Sequence, residues 1–343
     1  MKTFIIAEAG VNHNGNEQLA LELVATAARC GADAVKFQTF SADKLVRAGA
    51  AKADYQKLAT GDGDQHAMLK ALEMSEALHH KIVACCRSEG IEFMSTPFDW
   101  QAAEFLLSLG MQRIKVPSGE LTNDPFLAFL AAKGVPLIVS TGMATLDEIT
   151  HAVSVIAAAR IAAGHAQPLT EVLTILHCTS NYPAQCADVN LRAMGAIASA
   201  TGMPVGYSDH TLGLAVSTAA VALGARVIEK HFTLDRNLQG PDHKASLTPA
   251  ELQALVTQIR DVEQALGSDV KAPTASEWPI RELVRRSVVL TRDVLAGERL
   301  ESDDMVLLRP GNGIAPRDMA RTVGRVLRHA VAAGTTLQWQ DLE

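Results

Sequence analysis

The chain has 343 residues, 48% of them hydrophobic, with 31 Lys plus Arg against 38 Asp plus Glu, enough for one large domain and one small one. The net charge of −7, with no basic run longer than three residues, excludes a general nucleic-acid or membrane-surface binder. It leaves room for a small anionic ligand met by a few concentrated lysines. Cys30, Cys85, Cys86, Cys178 and Cys186 form no C-x-x-C pair, which fits a reducing cytoplasm rather than a disulfide framework or a structural zinc site. No stretch of 18 apolar residues occurs, and the N-terminal run turns acidic at Glu8, too early for a signal peptide.

In chain order, eight short β-rich runs are each followed by an amphipathic helix. The predicted strands are Phe4–Ala9, Ala34–Thr39, Glu92–Thr96, Arg113–Pro117, Leu137–Thr141, Val172–Cys178, Pro204–Ser208 and Arg226–His231. Asn16 can cap the first helix, whose Leu19, Leu23, Ala27 and Cys30 make a stripe before Gly31. Thr145 with Glu148, and Thr248 with Pro249 and Glu251, are start signals for two later helices. Eight βα units in about 266 residues predict a (β/α)8 TIM barrel over 1–267, with a doubly wound open sheet as the competitor. Ser41 to Met74 is a long connection after the second strand and reads as a lid over the carboxyl-end face. Residues 268–283 read as a linker, with Pro273 and Pro279, and 284–343 as a small β-rich domain.

Two strand ends stand out. Ser208-Asp209-His210-Thr211 and Glu229-Lys230-His231-Phe232 end the seventh and eighth strands, with a helix between them closed by Gly224. Parallel neighbours lie about 4.8 Å apart, so the two imidazoles would stand side by side and could share a divalent cation. A lone strand-end histidine is more often an ordinary hydrogen-bonding residue; the pair, flanked by charges, favours the metal. The rest of the carboxyl-end rim is polar: Glu8, Asn12, His13, Lys36, Gln38, Thr96, Lys115, Ser118, Glu120, Ser140, His177, Ser180 and Ser208. Unpaired buried ammonium groups are costly, so Lys36 and Lys115 beside hydroxyls suit a phosphate or carboxylate, or else pair with Glu8 and Glu120. A Schiff-base aldolase using Lys36, Lys115 or Lys230 is the second enzyme reading. A metal-dependent hydrolase is the third, although only His13 follows the first strand.

The ordered set Ala7-Glu8-Ala9-Gly10, Asn12-His13-Asn14-Gly15, Lys36-Phe37-Gln38-Thr39, Ser95-Thr96-Pro97-Phe98, Lys115-Val116-Pro117-Ser118-Gly119-Glu120, Ser140-Thr141-Gly142-Met143, Ser208-Asp209-His210-Thr211 and Glu229-Lys230-His231-Phe232 closely resembles the sialic acid (nonulosonic acid) synthases. The tail around Arg309-Pro310-Gly311-Asn312-Gly313 is similar to their antifreeze-like (SAF) domain. The resemblance implies condensation of phosphoenolpyruvate with N-acetylmannosamine and water to N-acetylneuraminate plus phosphate. The alternative acceptor is 2,4-diacetamido-2,4,6-trideoxymannose, giving N,N'-diacetyllegionaminate. It implies a divalent metal on His210 and His231, Mn2+ first, with Mg2+ or Co2+ as other choices. Phosphoenolpyruvate would be held by Lys36, Thr96, Lys115, Ser118, Ser140, Ser180 and Ser208. The sugar would meet Glu8, Tyr182, Glu229, Asp242 and Arg309, the last from the partner chain of a domain-swapped homodimer. Glu120, Glu8 and Lys115 would serve catalysis. Ser180-Asn181-Tyr182 and the following Pro183-Ala184-Gln185 depart from the family's usual pattern after the sixth strand, where the sugar loop lies. Ice binding, suggested by the tail alone, conflicts with its many charges, from Arg292 to Asp304.

Overall fold

The computed structural model describes residues 2–343 except 48, 53–56 and 58–59. It divides into two compact units, Met1–Gly267 and Ser268–Glu343. In the first, β1 (Phe4–Gly10), β2 (Ala34–Thr39), β3 (Glu92–Pro97), β4 (Ile114–Val116), β5 (Leu137–Ser140), β6 (Leu173–Cys178), β7 (Val205–Asp209) and β8 (Val227–His231) form one sheet in the order β3-β2-β1-β8-β7-β6-β5-β4. Neighbours follow chain order all the way round, and the β1–β8 ladder is parallel with Glu8 opposite His231. That cyclic order is a TIM-like barrel, nearly closed, rather than an open doubly wound sheet.

Side-chain parity organises the barrel. Alternate residues of a strand point to opposite faces. Ile6, Ala34, Met94, Ile138, Leu176 and Val227 therefore fill the lumen as one buried cluster. Their neighbours Ile5, Ala7, Val35, Phe37, Val139, Ile175 and Ile228 pack outward with Leu23, Leu127 and Leu255 of the surrounding helices. β7 contributes Gly206 to the lumen layer, and a Cβ there would lie 2.4 Å from the Val227 carbonyl oxygen and 2.6 Å from Leu176 Cδ2. The apolar plug is already full at that point.

The helix starts follow the sequence. Thr145 and Thr248 each form a reciprocal capping box, with Glu148 and Glu251, and Asn16 caps the helix Glu17–Arg29 by accepting from Leu19 N. Three details differ. Val172 closes a helical turn, Leu169–Val172, and β6 starts at Leu173. The stretch read as a linker ends in a helix, Glu277–Val284. Pro279 lies in its first turn, where a missing N–H breaks no intrahelical bond, and the Glu277 carboxylate accepts from Thr274 N at 2.8 Å. The long connection after β2 holds the helices Ala42–Leu45 and Gln65–Lys70; the rest of the expected lid falls partly outside the described residues.

The second unit has an antiparallel pair, β9 (Ser287–Leu290) and β10 (Met305–Leu308). It has its own buried core of Val288, Leu290, Val294, Leu300, Leu327 and Leu337. Among the described residues no helix is long and apolar enough to cross a membrane.

Gly206→Ala should destabilise the barrel by about 2 kcal/mol or more, since the added methyl meets a backbone oxygen that cannot step aside. Urea unfolding should show a lower midpoint at unchanged slope; an unaltered midpoint would mean the lumen has slack.

Candidate active site

Moving two residues along each strand from the apolar lumen layer gives Glu8, Lys36, Thr96, Ser140, Cys178 and Glu229, and all six line one cavity of about 170 Å³ at the carboxyl end of the barrel. Two residues further on, Gln38, Phe98, Ser180, His210 and His231 form its next tier, and Lys115 and Ser208 complete the wall. Parity places polar groups here because each strand changes from apolar to polar at the same height.

Four charges meet inside. Lys36 Nζ lies 2.7 Å from Glu8 Oε2 and 3.6 Å from Glu229 Oε2, and it donates to Thr96 Oγ1 at 3.0 Å. Lys115 Nζ lies 3.4 Å from Glu229 Oε1 and donates to the Val116 carbonyl at 3.3 Å. Ser208 donates to Glu229 Oε1 at 3.0 Å, and Gln38 Nε2 to Glu8 Oε1 at 3.2 Å. All four charged groups are buried. Such a cluster adds little stability over apolar packing, but it keeps two ammonium groups ready for an anion that displaces the carboxylates. Ser140 Oγ is buried without a hydrogen-bond partner, a donor left for a ligand.

The charges shift one another. Burial raises the Glu8 carboxyl to about 7, against the pull of Lys36 and with a push from Glu229. Burial also acts on Glu229, but Lys115 and Lys36 outweigh it and hold that carboxyl well below its usual range. Lys36 is likewise opposed by burial, yet Glu229 and Glu8 raise it. Lys115, with less compensation, is lowered by burial.

The two histidines stand together, their ring centroids 5.5 Å apart. His210 Nδ1 is 2.7 Å from the Thr179 carbonyl oxygen, so Nδ1 holds the proton and Nε2 keeps its lone pair, the arrangement of a metal-ligating imidazole. Burial lowers His210 to about 4 and holds His231 well below the usual imidazole range; both are neutral near pH 7, as ligation requires. His231 Nδ1 is buried without a hydrogen bond, with Asp242 Oδ2 at 3.9 Å. The pair fits a divalent cation. Among the described residues no group of three His, Cys, Asp or Glu stands close enough to hold one, so water and substrate oxygens would supply the remaining positions. Tyr182 covers the pair: its ring centroid is 4.0 Å from that of His210 and it meets His231 edge-on at 5.6 Å.

Of the residues expected at the site, Lys36, Lys115, Thr96, Ser118, Ser140, Ser180, Ser208, Glu8, Glu229, Tyr182, His210 and His231 all line this cavity. Asp242 reaches its edge through His231, and burial raises its carboxyl to about 6. Glu120 is not part of the lining; its carboxylate accepts from Asn123 Nδ2 at 2.7 Å, within the short helical turn Ser118–Glu120. Arg309 is exposed in the second unit. Lys230, weighed as a Schiff-base nucleophile, points out of the barrel to Asp209, and His177 bonds the Val189 carbonyl. Cys178 and Phe98 were not anticipated, although counting two residues on from Leu176 gives the first. Gly142 has no room for a side chain: a Cβ would lie 2.1 Å from Ser180 Oγ and 2.9 Å from Ser118 Oγ.

The NeuB family profile matches residues 23–271 and the SAF domain profile residues 285–343. The chain is 53% identical over 344 aligned positions to an N,N'-diacetyllegionaminic acid synthase of Legionella pneumophila, covering all of this chain and 95% of that protein. It is 44% identical to a protein of the same name from Campylobacter jejuni, covering 95% of this chain and 96% of the other. A crystal structure of N-acetylneuraminic acid (sialic acid) synthetase from Leptospira borgpetersenii, in complex with citrate, superposes with a TM-score of 0.71 at 34% identity, covering 82% of this chain and 90% of that one.

An anion that takes Lys36 from Glu8 strands a buried carboxylate, which must then accept a proton. With Glu8 near 7, affinity for phosphoenolpyruvate should fall as pH rises from 6 to 8, because less of the carboxyl is protonated beforehand. Glu8→Gln should flatten that dependence relative to the unaltered protein and abolish the proton uptake seen by calorimetry in buffers of different ionisation enthalpy. Equal slopes in both proteins would place the titrating group elsewhere.

Proposed function

The chain belongs to the NeuB family, with a SAF domain after the barrel, and is an enzyme; on that premise we propose that it condenses phosphoenolpyruvate with 2,4-diacetamido-2,4,6-trideoxymannose and water, giving N,N'-diacetyllegionaminate and phosphate. The observation behind this choice is the 53% identity, end to end, with a protein named for that synthesis. N-acetylmannosamine, the acceptor put first from the sequence, is the weaker reading: identity falls to 34% against the sialic acid synthetase.

The cavity supports the chemistry. Lys36 and Lys115 give an enol phosphate two cationic partners, and the unpartnered Ser140 hydroxyl with Thr96 and Ser208 offers hydrogen bonds to its oxygens. Glu229, between the two lysines, fixes them before the ligand arrives. A divalent cation held by His210 and His231, Mn2+ first among the candidates, would supply Lewis-acid polarisation of the acceptor's aldehyde. The new C–C bond joins C3 of phosphoenolpyruvate to the aldehyde carbon, whose oxygen takes up a proton. Water adds at C2, and the C2–O bond to phosphate breaks. Glu8, near neutrality in its pKa and 2.7 Å from Lys36, is placed to hold or release a proton as phosphate leaves. Tyr182 and Asp242 border the histidine pair and are assigned to the sugar. Glu120, engaged with Asn123, has the weakest support for a catalytic role.

Phosphate release with Mn2+ should be at least tenfold faster in kcat/KM with the diacetamido trideoxy sugar than with N-acetylmannosamine; the reverse order would restore the neuraminate assignment. Borohydride added with substrates should leave no covalent adduct, whereas trapping on Lys36 or Lys115 would turn the reading to a Schiff-base lyase. We assign Arg309 to the acceptor bound by a partner subunit in a domain-swapped dimer: Arg309→Ala should raise KM for the sugar severalfold with little change for phosphoenolpyruvate, and an unchanged sugar KM would remove it from the site.

A further inference from the structure

Directly behind the histidine pair, on the outer face of the barrel wall, lies a buried ion pair that the proposed chemistry does not use. Lys230 Nζ is 2.8 Å from Asp209 Oδ2 and donates to the Thr211 carbonyl at 2.7 Å. Asp209 Oδ2 also accepts from Ser217 Oγ at 2.6 Å, while Oδ1 accepts from Thr211 N at 2.8 Å and Thr211 Oγ1 at 2.7 Å. Lys230 is 2% exposed and Asp209 1%. The two residues face each other across the β7–β8 ladder.

Their places in the chain make this pair unusual. Asp209 and Thr211 are the two neighbours of His210, and Lys230 directly precedes His231. One ammonium group therefore grips the backbone and side chain on both sides of the first imidazole from the residue beside the second. His210 also receives a tie from the residue after β6, through the Thr179 carbonyl, and on the cavity side Ser208 donates to Glu229 Oε1. Among the described residues the Lys230 contacts are the ion-paired tie between the two histidine-bearing segments, on the outer face. A buried ion pair of this kind adds little stability over an apolar packing of equal volume. What it does supply is a fixed separation between two strand ends, and metal affinity is sensitive to displacements of that scale.

We infer that Asp209 and Lys230 are positioning residues that set the spacing and orientation of His210 and His231 for a shared divalent cation. The inference rests on the reading of those histidines as the cation's ligands, and it predicts a specific split. Lys36, Thr96, Lys115 and Ser140 hang from other strands, and Ser208 and Glu229, which share β7 and β8, keep their own hydrogen bond on the inner face. The anion site should therefore feel the loss of the clamp far less than the cation site.

Lys230→Met is the test variant, because Asp209 keeps its three other donors and the methionine fills most of the volume. Mn2+ binding to the full-length protein, followed by the electron paramagnetic resonance signal of free Mn2+, should weaken about tenfold, the usual scale for loss of a supporting contact. Phosphoenolpyruvate affinity by calorimetry should stay within twofold. Unchanged Mn2+ affinity in a folded Lys230→Met protein would overturn the inference, as would equal losses for Mn2+ and phosphoenolpyruvate, which would indicate general loosening. Should Lys230→Met fail to fold, Asp209→Asn combined with Lys230→Met removes both charges and is read in the same way. His210→Ala separates the two levels of the argument. It should lose Mn2+ binding outright; if it binds Mn2+ as the unaltered protein does, the ligand reading itself is wrong.

Discussion

Two ammonium groups and two carboxylates, all buried, share the mouth of this barrel. Each charge is tolerable only because an opposite one stands within about 4 Å, and removing any member would leave its partner stranded. The cluster thus carries internal competition: Glu8 and Glu229 occupy the lysines that the proposed anion would need. Glu229 answers to both lysines and stays charged, whereas Glu8 answers mainly to Lys36 and sits close to neutrality. The asymmetry divides the work, with one carboxylate holding the lysines in place and the other free to exchange a proton.

The same wall does different jobs on its two faces. On the inner side, ascending each strand by two residues leads from Ile6, Ala34 and Val227 to Glu8, Lys36 and Glu229, so the apolar plug is the floor on which the charges stand. On the outer side the mid-strand residues pack on helices, until Asp209 and Lys230 interrupt the apolar surface just below the two imidazoles. The neutral histidines above and the ionised pair behind them differ by one residue of register. A one-residue slip of either strand would exchange their faces.

Much of this was readable in the sequence, for reasons that differ by feature. Strand positions followed from short apolar runs between glycines and helix caps, and the barrel from their number and spacing. The histidine pair followed from strand, helix and strand, because that connection makes neighbours parallel. What the sequence left open was orientation. His177, Asp209 and Lys230 lie as near the strand ends as Lys115 does, and only a consistent count of parity from the lumen layer separates inner from outer. Glu120 lies outside the cavity lining because the chain leaves β4 after Val116 and turns within Ser118–Glu120, beyond which strand alternation says nothing. Pro279 was read as part of a linker although it lies in the first turn of a helix, since a proline's effect depends on how far into a helix it falls. The acceptor sugar was the least legible feature: the rim residues speak to an anion and a cation rather than to the acceptor, and overall identity, 53% with one named synthase against 34% with another, separated the two readings.

The ladder between β1 and β8 sets when, as well as where, the cavity comes into being. Glu8 and Lys36 are made well before Glu229 and His231, which stand opposite Ile6 and Glu8 across that ladder and are among the last strand residues of the barrel to be made. Until then the early charges remain hydrated and the lumen cannot be capped. Assembly of the site is therefore a late event, limited by the joining of the two most distant strands. A truncated chain ending before residue 231 would have most of the strands but would lack the second imidazole and the end of the strand that pairs with β1.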